Sequence, residues 1–141
     1  MLSNAKRNTE DPTAEVRECV ETMAQAIREK DVDALMTHYA PDIVVYDVGP
    51  PLDVHGAAAY RKNFEKWFAS MLGPIEYEMA DLRISISDSH AFCFFLGHIT
   101  GSRRDGGKDD YWVRVTTCFQ RANGQWLIGH EHVSLPLHRT Q

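Results

Sequence analysis

Apolar positions along the chain change period once. From Val16 to Met71 they recur at helical spacing, and from Ile75 onward they alternate as in strands. Val16, Val20, Met23 and Ile27 recur at four, three and four residues, which predicts a first helix opened by Asp11 with Pro12 at its first position. Asp31 opens a second, short helix with Val32, Leu35, Met36 and Tyr39 inward, and Pro41 is expected to stop it. Asp42 to Val48 reads as a strand cut off by Gly49-Pro50-Pro51. Gly56 to Leu72 reads as a third helix with a stripe of Tyr60, Phe64, Trp67, Phe68 and Met71, ended by Gly73-Pro74.

In the strand half, Ile75, Tyr77 and Met79 share one parity while Leu82, Ile84 and Ile86 share the other, which predicts a bulge near Ala80-Asp81. Asp88-Ser89 turns the chain into a strand from His90 to Thr100, and residues 101–109, GSRRDGGKD, read as a mobile polar loop. The longest hairpin follows, from Asp110 to Pro136, folded at Ala122-Asn123-Gly124. A two-residue Asn-Gly turn would pair Ala122 with Gln125, His130 with Thr117 and His132 with Val115. A three-residue turn with Gly124 left-handed pairs His130 with Thr116, His132 with Arg114 and Ser134 with Trp112.

The second register is preferred because it sorts the faces. Trp112, Arg114, Thr116, Cys118, Trp126, Ile128, His130, His132 and Ser134 fall on a polar-centred face suited to a pocket. Val113, Val115, Thr117, Phe119, Leu127, Gly129, Glu131, Val133 and Leu135 fall on an almost wholly apolar one, expected to pair two copies of the chain into a homodimer. Two helices, a strand, a helix and four meandering strands make an α+β domain with its helices on one face of a bent, mainly antiparallel sheet. Residues 1–10 read as a frayed tail and 11–141 as a single domain.

Composition narrows the partners. The 141 residues carry a net charge of -5 and a pI near 5.8, which argues against nucleic acid and anionic membranes as partners. No run approaches the ~20 apolar residues of a membrane span and no signal-peptide core is visible, so a cytoplasmic protein is expected. Cys19, Cys93 and Cys118 are odd in number and set in apolar runs, as free buried thiols are. Phosphate loops, nucleophile elbows and CxxC pairs are absent, and no cofactor is expected.

The element order, the phrase YAPDIVVYDVGPPLDVHG, the segment VRVTTCF and the ending GQWLIGHEHVSLP resemble the SnoaL-like, or ketosteroid-isomerase-homologue, branch of the nuclear-transport-factor-2-like (NTF2-like) superfamily. The resemblance implies a cone: three N-terminal helices packed on a strongly curved, mainly antiparallel sheet, a cavity at the wide end, and homodimers through the sheet. It implies no single reaction. Ketosteroid isomerase works with an Asp base, a Tyr and a protonated Asp. Laid without gaps from Val20 to Asp47, its pattern brings the base onto Asp47 and the Tyr onto Met23; the protonated Asp falls near Thr116. Methionine donates no hydrogen bond, so steroid isomerisation itself is not expected.

Asp47 reads either as a pocket acid or base or as a carboxylate satisfying the amides of its turn. His130 and His132, two apart on one strand face, read as pocket polar groups, a structural pair, or an incomplete metal site lacking a third ligand; no metal is expected. Arg114 needs an anionic partner: Asp47, Glu131 or a substrate group. Asp47, His130, His132 and Arg114 are thus the candidate catalytic residues. Tyr46, Trp67, His98, Trp112, Thr116 and Ser134 are the candidate ligand-binding ones, and Trp126 is expected in the core. Two functions follow: acid–base catalysis, isomerase-, cyclase- or lyase-like, on a small apolar carbonyl compound, or ligand binding or dimerisation without chemistry.

Overall fold

The computed structural model describes residues 11–137. Its elements are α1 (Ala14–Glu29), α2 (Val32–Met36), β1 (Tyr39–Tyr46), β2 (Val54–His55), α3 (Ala57–Ser70), β3 (Met71–Ile86), β4 (His90–Arg103), β5 (Lys108–Ala122) and β6 (Gln125–Ser134). The strands form one sheet in the order β2-β1-β6-β5-β4-β3, antiparallel except where β1 runs parallel to β6. The expected α+β architecture of three helices on a curved sheet is present. The expected frayed tail lies outside the described residues.

Helix α1 buries Val16, Val20, Met23 and Ile27, as its spacing requires. It is fastened to β3 by Lys30, whose ammonium donates to the Met71 carbonyl at 2.9 Å, and by Arg28 Nε, which donates to that of Tyr77 at 2.8 Å. Asp11 lies two residues before the observed cap, Thr13, instead of at the cap itself: it accepts from the Thr13 amide at 2.9 Å and shapes the turn before Ala14. Asp31 caps α2, accepting from the Ala34 amide at 3.1 Å. Pro41 does not stop that helix, which ends at Met36, but sits inside β1, where the pairing with β6 shifts between Tyr39 and Val44. A proline has no N–H to give a ladder, so pairing resumes only beyond it. Likewise α3 ends at Ser70, and Met71 is the first, fully buried residue of β3.

The bulge expected near Ala80-Asp81 is present: the β3–β4 register shifts between Ala80 and Arg83, and Asp81 has φ 59°. The expected loop at 101–109 is largely ladder instead, with Gly101 opposite Asp109 and Ser102 opposite Lys108. Only 104–107 turn, and Arg103 fixes them by donating to Asp109 at 2.6 Å and to Asp105 at 3.1 Å.

The last hairpin corrects the preferred register. Asn123 and Gly124 have φ 52° and 78°, the two left-handed residues of a two-residue hairpin turn, and Ala122 pairs with Gln125. That register runs to Phe119 opposite Ile128, where a bulge adds one residue to β6. Beyond it Cys118 faces His130, Thr117 faces Glu131, Thr116 faces His132 and Arg114 faces Ser134. Because side chains alternate, the extra residue inverts the parity of β6: Trp126 and Ile128 are buried before it, and Glu131 is buried after it. The face that carries Val113, Val115, Thr117 and Phe119 is the one under the helices, and Trp112, Arg114 and Thr116 are exposed on the other. Val113, Val115 and Phe119, expected in a dimer interface, are core residues.

Candidate functional site

Between α1, α3 and the concave face of the sheet lies a cavity of ≈ 260 Å³. This is below the ~300–1,000 Å³ of pockets for drug-sized ligands, so only a small molecule would fit. Its walls are mostly apolar: Val20, Met23 and Ile27 from α1, Phe64 and Trp67 from α3, and Phe95, Ile99, Val113 and Val115 from the sheet. Tyr39, Tyr60 and Phe64 form a ring cluster with centroids 4.5–6.2 Å apart. Gly97 makes room for another ring, since a Cβ there would come within 3.2 Å of both the Tyr77 hydroxyl and Val113.

Two carboxylic acids line this space. Asp47, just beyond the end of β1, is half-buried and accepts a hydrogen bond from the Val48 amide at 2.8 Å. Burial pushes its carboxyl above the usual value, and the Val48 hydrogen bond only partly offsets this. The turn-amide and pocket readings of Asp47 thus describe two sides of one carboxylate. Glu131, on β6, is 5% exposed. Its Oε1 accepts from the hydroxyls of Tyr60 at 2.8 Å and Tyr39 at 3.0 Å, and its Oε2 accepts from Thr117 at 3.0 Å. Burial raises its pKa, the three hydroxyl hydrogen bonds pull it down, and the charge of Asp47 raises it again; the net direction is upward. The phenols of Tyr39 and Tyr60 are held far up by burial and by the neighbouring Glu131.

Of the candidate catalytic and ligand-binding residues taken from sequence, Asp47 and Trp67 line the cavity, and the others do not. His130 donates from Nδ1 to the Val44 carbonyl at 2.7 Å, and its ring lies 4.9 Å from that of Tyr46. His132 lies against the same tyrosine at 5.5 Å and 6.5 Å from the His130 ring. Arg114 reaches neither Asp47 nor Glu131; it donates to the Ser134 hydroxyl at 3.1 Å and the Leu135 carbonyl at 3.2 Å. His98 stacks on Trp112 at 4.5 Å and pairs with Asp110 at 2.7 Å. Thr116 is exposed on the same outer face, and Trp126 is in the core as expected. Among the described residues no three His, Cys, Asp or Glu side chains are grouped to hold a metal. Cys93 is buried with its thiol pushed up to about 12, chiefly by burial, and is no nucleophile.

Sequence reasoning missed Glu131 as a site residue, together with Tyr39 and Tyr60. A signal was present: Glu131 is the single carboxylate in an otherwise apolar and hydroxyl-bearing face set. Its meaning depends on which face the helices cover.

The family model for the SnoaL-like domain matches residues 16–138. No curated protein matches the chain. Among solved structures, an NTF2-like protein of unknown function from Pseudomonas putida superposes with a TM-score of 0.81 at 29% identity, over 91% of this chain and 90% of that one. A candidate dehydratase of the NTF2-like family from Streptomyces avermitilis gives 0.78 at 16% identity, over 89% and 97%. A ketosteroid isomerase-like protein from Erwinia carotovora atroseptica gives 0.76 at 16%, over 89% and 96%. With a domain match over most of its length and this cone of helices and sheet, the chain belongs to the SnoaL-like family of the NTF2-like superfamily.

Proposed function

We propose that the protein binds a small, largely apolar, carbonyl-bearing molecule in this cavity and that Asp47 moves a proton on it, in an isomerase-, cyclase- or lyase-like reaction. The observation that carries the reading is the setting of Asp47: a half-buried carboxylate, raised by burial, opening onto an apolar and aromatic cavity that no cationic side chain among the described residues lines. A base poised above the usual carboxylate range abstracts a proton more readily than a solvated one. Similarity to an isomerase-like protein and a candidate dehydratase is consistent with proton-transfer chemistry but is a likeness of fold. Arg114, His130 and His132 take no part in this reading, because they stand on the far face of the sheet.

Asp47→Asn tests it. Exchange of an acidic C–H beside the carbonyl of a small apolar ketone for solvent deuterium should fall by the ~10²–10⁴-fold typical of a lost general base. Melting temperature should hold, and His130→Gln should exchange as wild type does. An Asp47→Asn protein that is destabilised yet fully active makes Asp47 a turn residue. No exchange in the wild type, with the molecule still bound, favours a binding module.

On the outer face Phe92, Phe94, Leu96 and Trp112 are 38–47% exposed. Our reading places a homodimer contact there, not on the Val113 and Val115 side.

A further inference from the structure

Glu131 is the buried acid for which the reading above has no use, and its hydrogen bonds are one short. A carboxylate has about four acceptor sites, two on each oxygen. Oε1 is filled by the hydroxyls of Tyr60 and Tyr39, whereas Oε2 takes only that of Thr117, and among the described residues no further side chain donates to either. Glu131 and its hydroxyl partners all line the cavity, so the open site on Oε2 belongs to the wall that a ligand meets. A proton can fill it, which leaves the carboxyl neutral, or a donor carried in by a ligand can.

The rest of the wall selects the donor. Asp47 and Glu131 are both acids, and no arginine, lysine or histidine among the described residues lines the cavity to offset them. Rings line it from four elements: Tyr60, Phe64 and Trp67 on α3, Tyr77 on β3, Phe95 on β4 and Tyr111 on β5. A carboxylate among aromatic rings is a setting that holds a desolvated ammonium, because the ring quadrupoles attract the cation and the carboxylate accepts its N–H.

We propose that the cavity takes a small ligand carrying a protonated primary or secondary amine, and that Glu131 holds this ammonium through the open acceptor site of Oε2. The inference rests on the reading that this cavity binds the ligand, and it adds a cationic group at the Glu131 end of the apolar, carbonyl-bearing body. No bond to carbon is made or broken at Glu131; where the carboxyl carries a proton, that proton leaves to solvent as the ammonium arrives. A quaternary ammonium has no N–H for the site, and an anion meets two acids and no base, so neither is the ligand.

The groups that bear on Glu131 come from every element around it: Tyr39 on β1, Tyr60 on α3, Thr117 on β5, and at longer range Asp47 beyond β1, Tyr77 on β3 and Cys93 on β4. All are acids or hydroxyls. Arg28 of α1 donates to the Tyr77 carbonyl and does not line the cavity, and neither do His130 and His132 on the strand of Glu131 itself. Burial lets Glu131 keep its proton to higher pH than a solvated glutamate does, and an ammonium that replaces the proton brings the titration back down. Amine affinity therefore rises with pH through the Glu131 titration and levels above it.

Benzylamine, an ammonium at neutral pH, is the probe, followed by calorimetry and by NMR of the aspartate and glutamate carboxyl carbons in the full chain. Wild type should bind it about 10-fold more tightly than benzyl alcohol, the difference between a charge-assisted and a neutral hydrogen bond, and should not bind benzoate. Saturating benzylamine should move the Glu131 titration to lower pH. Glu131→Gln should bind benzylamine roughly 10- to 100-fold more weakly, with the Glu131 part of the pH dependence gone. The wild-type titration needs no variant, so the test stands if Glu131→Gln fails to fold. No benzylamine binding to wild type, benzyl alcohol bound equally well, or a titration shift confined to Asp47 would overturn the proposal. Asp47→Asn keeps the two readings apart: it should stop deuterium exchange in a small apolar ketone, while benzylamine still binds and still lowers the Glu131 titration.

Discussion

The two faces of strands β5 and β6 are built from neighbouring residues of one hairpin and have opposite chemistry. The concave face carries Val113, Val115, Thr117, Glu131 and Val133, which are apolar or hydroxyl-bearing with one acid. The convex face carries Trp112, Arg114, Thr116, His130, His132 and Ser134, where every cationic group of the hairpin's centre is found. The hairpin residues that look catalytic in a sequence, Arg114, His130 and His132, are on the convex side, and the buried acid stands between the two histidines. A face rich in His and Arg is what a solvated or partner-facing surface tolerates at little cost. A lone Glu in an apolar cavity is costly and persists only with hydrogen-bonding partners, which Tyr39, Tyr60 and Thr117 provide.

The hardest test of this division is Val115→Glu. Val115 is 5% exposed under the helices, so the new carboxylate has no partner and the fold should lose on the order of 4 kcal/mol in denaturant unfolding. A stable, folded Val115→Glu monomer would mean that the concave and convex faces are assigned the wrong way round. Phe94→Glu probes the other side. Phe94 is 43% exposed beside Phe92, with ring centroids 6.5 Å apart, so this change should split the proposed dimer in sedimentation while costing less than about 1 kcal/mol of protomer stability. Wild-type protein that already sediments as a monomer at micromolar concentration removes the dimer from the account.

The smallest expected effect is also the most diagnostic of Glu131. Its folded pKa lies above the usual 4.5, so its contribution favours the fold at low pH and is lost as pH rises from there through the folded value. Asp47 acts with the same sign from 3.8. Each unit of upward shift is worth about 1.4 kcal/mol of stability lost across that window. Glu131→Gln removes one titration, so its stability relative to wild type should climb with pH over the window, as read from melting curves at a series of pH values. A constant difference between the two proteins would show that Glu131 titrates alike folded and unfolded.

Much of the fold was legible without coordinates. The 3.6-residue spacing of Val16, Val20, Met23 and Ile27 and the parity change across Ala80-Asp81 both record burial directly, and both reappear where expected. The two-residue strand β2 and the parallel pairing of β1 with β6 left no periodic trace, because two residues have no period and a pairing across some 85 residues is not local. The resemblance carried Asp47 onto the cavity, since the end of β1 is a position the fold itself fixes.

The sequence by itself determined which residues alternate along each strand, that the last hairpin folds within Ala122-Asn123-Gly124, and that one set on β5 is apolar and the other polar. Only the tertiary structure decided which set the helices cover. One extra residue at the Ile128-Gly129 bulge inverts β6 against its own turn, and whether such a residue is present depends on pairing with Phe119 and Cys118 and on packing beneath α1 and α3. Local sequence carries the period of a strand but not its phase relative to a distant helix, and that phase turned Glu131 inward and His130, His132 and Arg114 out.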